Sequence, residues 1–114
     1  MFCVYFRHKK NEELRLTLQY KLWQEFADDN YNILFKTYVE EDNSNFEFKN
    51  LLNDIILKQI HKVWIPDIST LGKNNILIEY FLLLCETRNI KIYIKNKIID
   101  IKELYDDLIL NTVF

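Results

Sequence analysis

The sequence predicts an α/β domain of three layers, with a mainly parallel sheet of four to five strands and helices on both faces. Two observations predict it. Short apolar, β-prone runs alternate along the chain with stretches whose apolar residues recur at helical spacing. The first of these runs, Phe2-Cys3-Val4-Tyr5-Phe6, is apolar at every position, the pattern of a strand buried on both faces. The chain has 114 residues, the size of one domain, and no internal repeat, low-complexity segment or linker divides it. Residues 1–114 are therefore read as a single domain.

The elements follow in order. Arg7-His8-Lys9-Lys10-Asn11 breaks the first apolar run, so a central strand ending in a polar loop is expected. Between Glu12 and Asp29, Leu18, Leu22, Trp23 and Phe26 recur at helical spacing, and Asn30 supplies a terminator for a helix that covers the sheet. Ile33 to Val39 reads as the second strand, with Glu40-Glu41-Asp42-Asn43 as an acidic turn after it. Ser44 and Glu47 stand at capping-box spacing before a stripe of Phe48, Leu51, Leu52, Ile55 and Ile56, which places a second helix. Val63-Trp64-Ile65 is a third strand, and Pro66 to Asn74 is a loop holding the chain's one proline and one glycine. Ile76 to Arg88 is apolar on nearly every side, so this helix is either sandwiched between layers or partly an oligomer surface. Lys91 to Ile94 returns as a strand, Lys97 to Ile99 adds a short edge strand, and Ile101, Leu104, Tyr105, Leu108 and Ile109 mark a final helix.

Composition narrows the function. Hydrophobic residues make up 49% of the chain, a profile that folds rather than one that stays disordered. Fifteen Lys and Arg against seventeen Asp and Glu leave a formal charge of -2, so no overall positive field gathers phosphates. Lys91, Lys95, Lys97 and Lys102 form a modest basic cluster, read as a solvated face because isoleucines alternate with them. A single glycine leaves no room for a glycine-rich phosphate loop, which removes dinucleotide-binding and Walker-type enzymes, and no cofactor is expected. His8 and His61 lack Cys or carboxylate partners at ligand spacing and are read as surface residues. Glu40, Glu41 and Asp42 offer oxygen ligands suited to magnesium, but such acidic runs are ordinarily solvated turns, and that is the reading adopted. Cys3 and Cys85 each lie in an apolar run where a free thiol behaves as a small hydrophobe. With no uncharged run near the roughly 18 residues of a membrane span, and with Met1 to Phe6 too short for a signal peptide, a reduced cytoplasmic protein is expected.

In open parallel sheets, sites form beyond the carboxyl ends of the strands. Here those ends are Arg7 to Asn11, Glu40 to Ser44 and Asp67 to Asn74. Their residues follow a pattern. Tyr5-Phe6-Arg7-His8-Lys9 resembles the opening of the serine recombinase (resolvase/invertase) catalytic domain: tyrosine, any residue, arginine, any residue, serine. Arg7 matches, and Lys9 stands where the nucleophilic serine would be. Leu16 to Gln19 is similar to the start of that family's next helix, and Gln19 is retained. Ile68-Ser69-Thr70-Leu71-Gly72-Lys73-Asn74 resembles the family's loop of isoleucine, serine, arginine, leucine, glycine, arginine, asparagine, with Thr70 and Lys73 at its two arginines. Asn45 falls where a further arginine is usual. The resemblance runs in order from residue 1 to about 96. The last residues, 97–114, depart from it: family members continue into a long dimerisation helix and a separate DNA-binding domain, and no such domain is expected here.

The resemblance implies a fold and an absence. In the family, serine attacks a DNA phosphodiester and clustered arginines stabilise the extra charge of the transition state. Lysine offers a point charge but no hydroxyl to conserve the phosphodiester energy. Losing one such charge donor costs about 10² to 10³ in rate, and three arginine positions are altered as well as the nucleophile. Arg7, Lys9, Asn45, Ser69, Thr70 and Lys73 are therefore expected to form a vestigial site, with Arg7, Lys9, Gln19 and Lys73 as candidates to hold phosphate. The leading expectation is a catalytically silent domain acting by self-association or by pairing with an active recombinase in DNA recombination or transposition. Two others stay open: a small phosphate- or DNA-binding module using the remnant pocket, and strand exchange with an unusual nucleophile such as Ser69 or Thr70. No membrane partner is expected, and direct DNA binding should be weak.

Overall fold

The computed structural model describes residues 1–9, 21, 23–27, 33–95 and 97–110. Its sheet has five strands: β1 (Phe2–His8), β2 (Leu34–Glu41), β3 (Lys62–Ile65), β4 (Lys91–Ile94) and β5 (Lys97–Ile99), in spatial order β2-β1-β3-β4-β5. The first four run parallel, and only the hairpin partner β5 is antiparallel to its neighbour. β1 pairs on both sides, which explains its unbroken apolar run: an inner strand alternates its side chains between two covered faces.

Those two faces are distinct. Cys3 and Tyr5 point into the larger core, which is closed by α2 (Phe46–Leu57), α3 (Asn75–Thr87) and α4 (Ile101–Tyr105). Tyr5 stacks on Phe48 at 5.2 Å between ring centroids, and Phe48 meets Phe81 edge-on at 5.4 Å, so aromatic contact runs from sheet to α2 to α3. Phe2, Val4 and Phe6 point the other way, into a smaller core with Trp64 and with Phe26 of α1 (residues 23–27). Helices therefore cover both faces, as the alternating pattern predicts. The rest of the helix expected between Glu12 and Asp29, Leu18, Gln19 and Leu22 included, lies outside the described residues.

Three local expectations are corrected. Arg7 and His8 are not loop: β1 continues through His8, because its pairing with β2 extends to Glu40 and Glu41. For the same reason Glu40 and Glu41 are strand, not an acidic turn, and Glu40 is only 1% exposed. Ser44 and Glu47 do not form a capping box, since α2 starts at Phe46 after Asn45 and has no side-chain cap from that residue. The free N–H groups of its first turn are satisfied from the sheet instead: Glu47 N donates to Glu40 Oε2 at 3.1 Å and Phe48 N to Glu40 Oε1 at 2.9 Å.

The loop after β3 contains a single 3₁₀ turn, Ile68–Leu71, and α4 passes directly into a π turn, Asp106–Leu110. α3 resolves the alternatives its sequence left open. Ile78, Phe81, Leu82 and Cys85 are buried, whereas Ile76 is 80%, Tyr80 46% and Leu83 48% exposed on the outward side. Among the described residues, no helix is long and apolar enough to cross a membrane.

Candidate functional site

Because β1, β2 and β3 are parallel, their carboxyl ends open on one edge of the sheet, and there a cleft of about 460 Å³ forms. Arg7, His8 and Lys9 enter it from β1, Asp42, Asn43 and Asn45 from the segment between β2 and α2, and Asp67, Ser69, Thr70, Gly72, Lys73 and Asn74 from the loop after β3. The six residues expected to form a vestigial site thus come together in one cleft, although they span 67 positions of sequence, from 7 to 73. Gln19, the other phosphate-binding candidate, lies outside the described residues.

The floor of the cleft is built on Arg7. Its Nε donates to the carbonyl of Thr70 at 3.0 Å and its Nη1 to the carbonyl of Ser44 at 2.6 Å. Its Nη2 donates to the Tyr5 hydroxyl at 2.9 Å and to Asn45 Oδ1 at 3.0 Å. Four of the five donors of the guanidinium are therefore spent on the protein, and the side chain ties β1 to both loops that wall the cleft. Asn45, at a position where the resemblance implies a second cation, serves instead as an acceptor for the first.

Behind Arg7 the charge is balanced through a phenol. Tyr5 accepts from Arg7 and donates to Glu40 Oε1 at 3.2 Å, and Glu40 also takes the two α2 N–H groups. A buried carboxylate, which is costly unless fully hydrogen-bonded, here has three donors and the positive end of a helix. Burial pushes the Tyr5 phenol well above its ordinary range, so it stays protonated and remains a donor to Glu40. Sequence reasoning placed Glu40 in a solvated turn and passed over Tyr5, yet the spacing Tyr5-x-Arg7 within one strand was the available signal. Residues two apart on a strand share a face.

The hydroxyls of the loop are held elsewhere. Asp67 caps the 3₁₀ turn, with its Oδ1 accepting both the N–H and the hydroxyl of Ser69. Thr70 is buried. Lys9 and Lys73 are exposed at the rim, and with Arg7 they make three cations facing the carboxylates of Asp42 and Asp67 across one cleft. Glu40, Glu41 and Asp42 do not converge: Glu40 turns into the core, and no group of three potential ligands for a metal ion forms among the described residues.

Gly72 completes the floor. It has φ 83° and ψ -154°, a conformation open essentially to glycine alone, and a Cβ there would stand 2.7 Å from Arg7 Nη2 and 2.9 Å from Arg7 Cζ. The chain's one glycine is thus placed where the guanidinium lies flat against backbone.

No protein-family model matches this chain, and no curated protein does. Among solved structures, it is similar to a resolvase family site-specific recombinase from Streptococcus pneumoniae, with a TM-score of 0.73 and 14% identity over 98% of this chain and 89% of that one. The fold is that of a resolvase-like domain: a mainly parallel five-stranded sheet between helical layers.

Proposed function

We propose that this chain is a recombinase-like domain without strand-cleavage chemistry, and that it acts by protein association, with itself or with a catalytically intact site-specific recombinase. The observation that carries this reading is the state of Arg7. A transition-state arginine must present its donors to the phosphate oxygens, and here four of five are spent on Thr70, Ser44, Tyr5 and Asn45. The residue beside it on the strand end is Lys9, which has no hydroxyl, and the nearby Ser69 hydroxyl is bound to Asp67. A cleft so arranged holds a fold together rather than turning over a phosphodiester.

What this leaves is surface. The outward side of α3 exposes Ile76, Tyr80 and Leu83 in one line at helical spacing, which a domain acting alone would gain nothing by exposing. The test is molar mass by light scattering, for the chain alone and mixed with a serine recombinase from the same genome. A dimer or a mixed complex is expected. A strict monomer indifferent to the recombinase would end the proposal, as would a covalent protein–DNA adduct that disappears in Ser69→Ala.

A further inference from the structure

An apolar groove of about 260 Å³ lies between α3 and α4, away from the cleft, with Leu82, Leu83, Ile101 and Tyr105 as its floor and walls. Its sides carry opposite charge. Glu86 stands on the α3 side and Lys102 on the α4 side, both exposed, and neither side chain makes a hydrogen bond or ion pair among the described residues. Leu83 belongs both to this groove and to the exposed line it forms with Tyr80 and Ile76, so groove and stripe are one continuous apolar surface.

Resting on the association reading above, we infer that the occupant of this groove is a second copy of the same chain, docked about a two-fold axis that sets Glu86 of each copy against Lys102 of the other. The argument is complementarity. A patch with an acid on one side of an apolar centre and a base on the other matches itself after a two-fold rotation, because each sign then meets its opposite twice. A partner carrying one sign of charge would gain at one side what it loses at the other. The two copies also repel each other little at long range, since each carries a formal charge of only -2.

Charge reversal with rescue tests this. The dimer dissociation constant is measured by sedimentation for the wild type, Glu86→Lys, Lys102→Glu, the double variant, and an equimolar mixture of the two single variants. Each single reversal puts like charges together twice and is expected to weaken the dimer about tenfold at low salt. The double variant restores both pairs. The mixture restores them too, because one copy then carries two lysines and its mate two glutamates. Both positions are exposed, and circular dichroism and melting of each variant confirm that the fold is retained. Leu83→Asp, also at an exposed position, is expected to leave a folded monomer. Several outcomes overturn the inference: a dimer indifferent to both single reversals, reversals that weaken it without rescue, or a dimer that survives Leu83→Asp. A chain that is monomeric alone yet joins a recombinase also overturns it, while leaving the association reading in place. A chain that forms neither complex overturns both.

Discussion

At the scale of single residues, Arg7 and Gly72 are one unit. The guanidinium lies where a Cβ on Gly72 would be, and Gly72 holds a backbone conformation that other residues reach at a cost of about 1–3 kcal/mol. Gly72→Ala is therefore expected to destabilise the domain by about 2–4 kcal/mol, the backbone cost plus the displacement of Arg7 from four acceptors. A double-mutant cycle separates the two parts. In an Arg7→Ala background the steric conflict is gone and only the backbone cost remains, so Gly72→Ala should do less damage there, with a coupling of about 1 kcal/mol or more by denaturant unfolding. Strict additivity would show that the close approach carries no energy. This pairing explains why the glycine of the loop persists in a site whose chemistry has gone: it serves the arginine, and the arginine serves the fold.

At the scale of elements, the start of α2 shows what the sequence could and could not disclose. The helix itself was legible, because Phe48, Leu51, Leu52 and Ile55 recur at the spacing of a buried stripe, and all four are buried. Its cap was not, because the capping group comes from the end of β2, a contact between elements that no local spacing encodes. Ser44 and Glu47 satisfy the local pattern and yet do not make the cap. The same reasoning covers the cleft. Its members were legible through an ordered resemblance of three segments, but the commitment of Arg7 inward depends on the carbonyl directions of Ser44 and Thr70, which exist only in three dimensions. The stability consequence is specific. Glu40→Gln keeps the shape but removes the charge facing the helix N-terminus and is expected to cost about 1–2 kcal/mol. Glu40→Ala, which also leaves Tyr5 and two N–H groups without their acceptor, is expected to cost about 3 kcal/mol or more. Ser44→Ala should stay within about 0.5 kcal/mol, since Ser44 contributes to Arg7 through its main-chain carbonyl. Thermal and urea unfolding rank the three, and a Ser44→Ala variant as damaged as Glu40→Ala would restore the local cap.

At the scale of the whole molecule, the parallel sheet gathers its polar atoms at one edge and its buried weak acids inside, and the second fact governs how stability depends on pH. Burial pushes the Cys3 thiol up from 9.0 to about 12, and burial likewise raises Cys85 above the thiol range. Burial and a hydrogen bond donated to Asp54 raise the Tyr38 phenol above 10.0, and burial raises Tyr5. In each case the folded state holds its proton more tightly than the unfolded chain does. The stability this represents is fully present below the ordinary pKa and is lost as pH rises through it, because the unfolded state then gains by ionising while the folded state does not. Urea unfolding under reducing conditions should thus give a stability that is level from pH 7 to about 8.5 and then falls, at about 1.4 kcal/mol per pH unit for each proton released on unfolding. The thiols act first, since their unfolded value lies about one unit below that of the phenols. Cys3→Ala and Cys85→Ala should each flatten the early part of the fall, between about pH 8.5 and 10, whatever they cost at neutral pH. A profile level to pH 11 would mean that these groups ionise freely in the folded protein, and that the core around β1 is open to water. The inner strand, read from sequence as buried on both faces, would then have to be reconsidered along with the two cores built on it.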